Sequence, residues 1–127
     1  MAVSSSMPIL IVDDYNTMIR ILRNLLRQLG FSNIDEASDG RTALAKLRAK
    51  EYALVISDSS MAPMSGLELL QRVRADARTA AMPFVMVAND AEADANAATR
   101  AGASTYIVKP FNAHTLKTKL VSVLGAF

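Results

Sequence analysis

Cysteine and tryptophan are absent from the 127 residues, and histidine occurs once. Without cysteine there is no disulfide and no thiolate metal site. The lack fits a reducing compartment such as the cytoplasm. A single histidine argues against a histidine-based metal centre or proton relay. An excess of one charge is missing too. The 14 basic and 12 acidic side chains are mixed along the chain, and the net of +2 is too mild to argue for nucleic acid. No apolar run approaches the roughly 20 residues of a membrane span. Residues 1–7 are small and polar and lack a basic stretch followed by an apolar core, so they are expected to be a flexible segment and not a signal peptide. No repeat or low-complexity linker divides the rest of the chain. With 51% apolar and 20% charged residues, the composition is that of an ordinary globular domain, expected over 8–124 with a loose tail at 125–127.

Short apolar runs alternate with helical patterns. Pro8-Ile9-Leu10-Ile11-Val12 reads as a buried strand and ends in Asp13-Asp14. Residues 17–29 place Met18, Ile19, Ile21, Leu22, Leu25, Leu26 and Leu29 at helical spacing, with Arg20, Arg23 and Arg27 on what is expected to be a solvated face. Gly30 is a natural stop. Ile34–Ala37 is a weaker strand, expected near an edge, and Asp39-Gly40 turns the chain into a helix reaching about Lys50. Leu54-Val55-Ile56-Ser57-Asp58 is a third strand ending in a single carboxylate, and a helix begins near Ser65. Residues 83–87 and 105–108 supply two more strands, and a last helix runs from Asn112 to about Leu124. Residues 90–101 are rich in alanine. Their helix propensity is high, but no large apolar side chain is present to bury, so this helix is expected to be the most mobile. Five strands alternating with five helices define an α/β domain with a parallel sheet and right-handed crossovers.

That topology brings the carboxyl ends of the strands to one edge, where open α/β sheets place their sites. Asp13, Asp14, Asp58, Ala88 and Lys109 meet there. Three carboxylates in a low-dielectric pocket repel unless a cation joins them. Mg²⁺ suits an oxygen-only donor set, and Mg²⁺ beside one lysine suits a phosphoryl group. A carboxylate can accept such a group as an aspartyl phosphate. Each motif alone admits a plainer explanation. Asp13-Asp14 could be a turn with a helix cap, Asp58 loop polarity, and Lys109-Pro110 a strand terminator. His114 reads as a helix-surface residue, and the methionines as core filler.

Taken in order, Val-Asp13-Asp14, Ser-Asp58 with Met61 three residues on, Gly66, and Lys109-Pro110-Phe111 resemble the response-regulator receiver domain over about Pro8 to Leu124. Arg23-Asn24-Leu25-Leu26, Leu29-Gly30-Phe31, Gly66-Leu67-Glu68-Leu69-Leu70 and Ala101-Gly102-Ala103-Ser104 are similar to its CheY-like, single-domain members. The resemblance implies a flavodoxin/CheY-like sheet of order 2-1-3-4-5 between five helices. It implies Asp58 as phosphoacceptor, Mg²⁺ held by Asp13, Asp14, Asp58 and the Ser60 carbonyl, and Lys109, before a cis proline, on the phosphoryl oxygen. A histidine kinase would be the donor. The domain would catalyse only its own phosphorylation and dephosphorylation. No output domain is expected, so output would be protein binding near Tyr106 and Lys119. A flagellar switch protein or a phosphatase would be the partner, in chemotaxis or motility control, with the chain a cytoplasmic monomer.

Two departures stand out. The family's hydroxyl at the end of the fourth strand is replaced by Ala88, with Asn89 the nearest polar substitute. A hydrogen bond to a charged group is worth about 1.5–3 kcal/mol, a large part of the roughly 5.5 kcal/mol that inverts a two-state population. In Met61-Ala62-Pro63 the proline comes one residue later than in the family, and Ser65 stands where an acid is common. The acceptor is expected to be intact and the switch at Ala88, Asn89 and Tyr106 altered. The alternative is a pseudo-receiver, a binding module independent of phosphorylation. A phosphohydrolase using Asp58 ranks third, because no second acid stands beside Asp58 to act as general acid.

Overall fold

The computed structural model describes residues 4–88, 93–125 and 127. Among them the order is β1 (Ile9–Val12), α1 (Asn16–Gln28), β2 (Ile34–Ala37), α2 (Gly40–Ala49), β3 (Leu54–Asp58), α3 (Gly66–Ala75), β4 (Phe84–Ala88), α4 (Ala93–Ala101), β5 (Thr105–Val108) and α5 (Ala113–Leu124). The strands pair in parallel in the order β2-β1-β3-β4-β5. The weak strand Ile34–Ala37 lies at an edge, as its composition suggested.

The central strands are apolar on both faces because helices cover both. Successive strand residues point to opposite sides. Leu10, Val12, Val55, Phe84 and Met86 meet Leu47 of α2, Leu69, Leu70 and Val73 of α3, and Ala98 of α4. Ile9, Ile11, Leu54, Ile56, Val85, Val87 and Ile107 meet Ile19, Leu22 and Leu26 of α1 and Leu116 and Leu120 of α5. Burying a leucine contributes about 1.5–3 kcal/mol. Among its described side chains α4 buries only Ala98, whereas each of the other four helices buries at least one leucine.

Side-chain caps fix where three helices start. Asp39 accepts from the Thr42 N–H at 2.7 Å, Ser65 from Glu68 at 3.1 Å and Asn112 from Thr115 at 2.9 Å. Helix α1 closes at Gly30, whose φ of +103° disfavours any side chain. There the Phe31 N–H reaches the Leu26 carbonyl and the Gly30 N–H the Arg27 carbonyl, each at 3.0 Å.

The structure departs from the sequence-based expectations at several points. Strand β4 runs one residue later than 83–87, because Pro83 has no N–H to donate and the Ala88 carbonyl still accepts from Lys109. Arg23 is not on a solvated face: it pairs with Glu36 and donates to the Ile34 carbonyl at 3.2 Å, tying α1 to β2. Ile21 is 41% exposed, since at about 100° per residue it falls about 130° round the helix from the centre of the stripe of Ile19, Leu22 and Leu26. Phe127, expected on a loose tail, packs edge-on against Phe31 with ring centroids 5.0 Å apart. Expectations for residues 1–3 and 90–92, and for Asn89 as a switch residue, lie outside the described residues.

Candidate functional site

Strand register brings the chemistry together. Val12 is level with Ser57, Asp58 with Val87, and Ala88 with Val108. Asp13 and Asp14 follow β1, Asp58 ends β3 and Lys109 follows β5, so all four open on the same edge. The three aspartates offer carboxylate oxygens within 4.8 Å of one another. Asp13 is 1% and Asp58 4% exposed, whereas Asp14 is exposed. The Lys109 Nζ donates to Asp58 Oδ1 at 2.8 Å.

The Asp13 carboxylate is incompletely satisfied. Its Oδ1 accepts from the Tyr15 N–H at 2.9 Å, while its Oδ2 is buried without a hydrogen-bond partner. Burial pushes its pKa up to about 6. The Tyr15 N–H opposes the rise, the Asp58 charge adds to it, Lys109 opposes it, and Asp14 adds a little more. A buried carboxylate oxygen with nothing bonded to it, beside two further carboxylates, matches what a hard divalent cation requires. The set is all oxygen and one member is solvent-facing, which suits Mg²⁺ with its retained waters.

The loop after Asp58 is drawn back over the strand. Ser59 N–H bonds the Val87 carbonyl at 2.9 Å and Gly66 N–H the Ser59 carbonyl at 3.0 Å. Ser60 lies exposed on this loop. A Cβ on Gly66 would collide with the Asp58 carbonyl oxygen and stand 2.8 Å from Ser59 Cα. Only glycine lets α3 start this close to Asp58. The sequence showed Gly66 as part of a motif but not this role, since close backbone approach leaves no mark except the glycine itself. The Ala62-Pro63 and Lys109-Pro110 peptides are both cis.

Ala88 is fully buried at the end of β4 and presents only a methyl group. Tyr106 is not part of the acid cluster. It sits half-buried on β5, opposite Met86 in register, and the Lys119 Nζ lies 4.7 Å from its ring centroid. His114 is exposed on α5.

Residues 9–121 match the response regulator receiver domain family. The chain is 47% identical over 118 residues to chemotaxis protein CheY-3 of Vibrio cholerae, covering 92% of this chain and 91% of that one. It is equally similar to chemotaxis protein CheY of Pseudomonas aeruginosa, with 92% and 95% covered. The solved structure of the chemotaxis response regulator CheY4 of Vibrio cholerae superposes with a TM-score of 0.86 at 31% identity, over 94% of this chain and 99% of that one. The chain belongs to the response regulator receiver domain family. It is a CheY-like receiver of two-component signalling and not a conventional enzyme. Among the described residues no helix is long and apolar enough to cross a membrane.

Proposed function

We propose that Asp58 accepts a phosphoryl group from a histidine kinase in a Mg²⁺-dependent reaction, and that the phosphorylated domain signals by binding another protein. The observation that carries this reading is the convergence of Asp13, Asp14 and Asp58 against Lys109, with Asp13 Oδ2 left without a partner. Asp13, Asp14, Asp58 and the Ser60 carbonyl would hold the ion. When bound, Mg²⁺ offsets negative charge on the phosphoryl oxygens. Asp58 supplies the attacking carboxylate oxygen. Lys109, already on its other oxygen, moves to a phosphoryl oxygen as the charge transfers. Gly66, with no Cβ, lets α3 start directly against the Asp58 backbone.

Output is assigned to the face around Tyr106 and Lys119, and similarity to chemotaxis proteins favours motility control with a flagellar switch protein or a phosphatase as partner. Ala88 supplies no hydroxyl to a phosphoryl oxygen, so the change relayed to Tyr106 is weakened. That observation also favours a second reading, a binding module indifferent to phosphorylation. Incubation with Mg²⁺ and acetyl phosphate, read by intact mass, tests the first. A phosphorylated species that disappears with EDTA and in Asp58→Asn supports it. No phosphorylated species in the native chain leaves the second.

A further inference from the structure

Tyr15 is the most exposed large hydrophobic side chain of the described residues, at 61%. Its backbone is held firmly. The N–H is bonded to Asp13 Oδ1 at 2.9 Å, and the carbonyl accepts from Met18 at 3.0 Å and from Ile19 at 3.2 Å at the start of α1. Its ring has no aromatic, cationic or hydrogen-bonding partner among the described residues. An aromatic ring left mostly in water on a fixed backbone contributes little burial to the fold. Its root is one Cα–Cα step, about 3.8 Å, from Asp14. The Asp14 carboxylate is in turn within 4.8 Å of that of Asp58. A donor that delivers a phosphoryl group to Asp58 comes up to Asp14, the solvent-facing carboxylate of the cluster and the chain neighbour of Tyr15.

We infer that Tyr15 is a donor-specificity residue, stacking on the imidazole of a phosphohistidine as it enters the site. The inference rests on Asp58 being the acceptor. In the transfer, an Asp58 oxygen forms the new bond to phosphorus as the nitrogen–phosphorus bond breaks. The electron pair stays on the imidazole nitrogen, which takes up a proton from water. The leaving group is a flat aromatic ring, and aromatic faces pair by offset or edge-on stacking. An acyl phosphate has no ring and gains nothing from Tyr15.

The experiment compares two small donors, monophosphoimidazole and acetyl phosphate, on the native chain and on Tyr15→Ala, Tyr15→Leu and Tyr15→Phe, with Mg²⁺ present and circular dichroism confirming the fold. Tyr15→Ala and Tyr15→Leu should slow phosphorylation by monophosphoimidazole about fivefold, the scale of one stacking contact, and change the acetyl phosphate rate less than twofold. Tyr15→Phe should behave as the native chain with both donors. Equal effects on the two donors, or none on monophosphoimidazole, overturn the role of Tyr15 while leaving Asp58 as acceptor. Failure of the native chain to react with either donor overturns both.

Discussion

Gly66 and Asp58 are in backbone contact: a Cβ at position 66 would lie 2.9 Å from the Asp58 carbonyl carbon and collide with its oxygen. The residue that starts α3 therefore fixes the backbone of the candidate acceptor. Gly66→Ala must push one of the two aside. Overpacking costs typically 1–3 kcal/mol, so a loss of about 2 kcal/mol in urea unfolding is expected, with slower phosphorylation by acetyl phosphate. Native stability with native rate would show that the loop gives way freely.

Asp13 makes stability depend on pH in a direction opposite to that of most aspartates. Its folded pKa of about 6 lies above the ordinary 3.8 because of burial. Below pH 4 both folded and unfolded forms hold the proton, and between about 4 and 6 only the folded form does. This group alone therefore lowers stability as pH rises through that window, by about 3 kcal/mol in total. Urea unfolding without Mg²⁺ should show Asp13→Asn gaining on the native chain between pH 4 and 7. Mg²⁺ competes with the same proton, so its apparent affinity should fall up to tenfold per pH unit below 6.

Arg74 tests how α4 is held. Its guanidinium donates to the carbonyls of Gly102 at 2.9 Å, Met82 at 2.6 Å and Ala80 at 3.2 Å, joining the end of α3 to the residue that closes α4. Arg74→Met keeps the stem and removes the bonds. A loss of about 1–3 kcal/mol is expected. Native-state hydrogen exchange should show the amides of 96–101 opening faster in this variant. In the native chain they should already exchange faster than those of 19–28, because α4 is anchored by alanine where α1 is anchored by leucine and isoleucine.

Ala88→Ser supplies the missing hydroxyl at a buried strand end with a small increase in volume. It should enlarge the chemical-shift change at Tyr106 on addition of beryllofluoride. An unchanged response would place the weak point of the relay elsewhere.

Much of this was legible in the sequence for physical reasons. Continuous apolar runs such as Leu54–Ile56 can be buried only if both sheet faces are covered, which defines the α/β class and places Asp58 at a strand end. The strand order came with the family resemblance, because no local pattern encodes it. Asp13 and Asp14 are identical in sequence, and only the folded edge buries one and exposes the other. Arg23 looked like surface charge because its partner Glu36 is thirteen residues away. Phe127 looked loose because its partner Phe31 is on a distant turn. Long-range pairs of this kind leave no periodic trace.

The most direct measurement is an amide NMR titration of the chain with Mg²⁺ followed by beryllofluoride, with Asp58→Asn as control. Shifts should appear first around Asp13, Asp14 and Asp58 with Mg²⁺, then around Asp58 and Lys109 with beryllofluoride, and be small near Tyr106. The second set should vanish in Asp58→Asn. No perturbation around Asp58 by either addition would contradict a phosphoacceptor site at the end of β3.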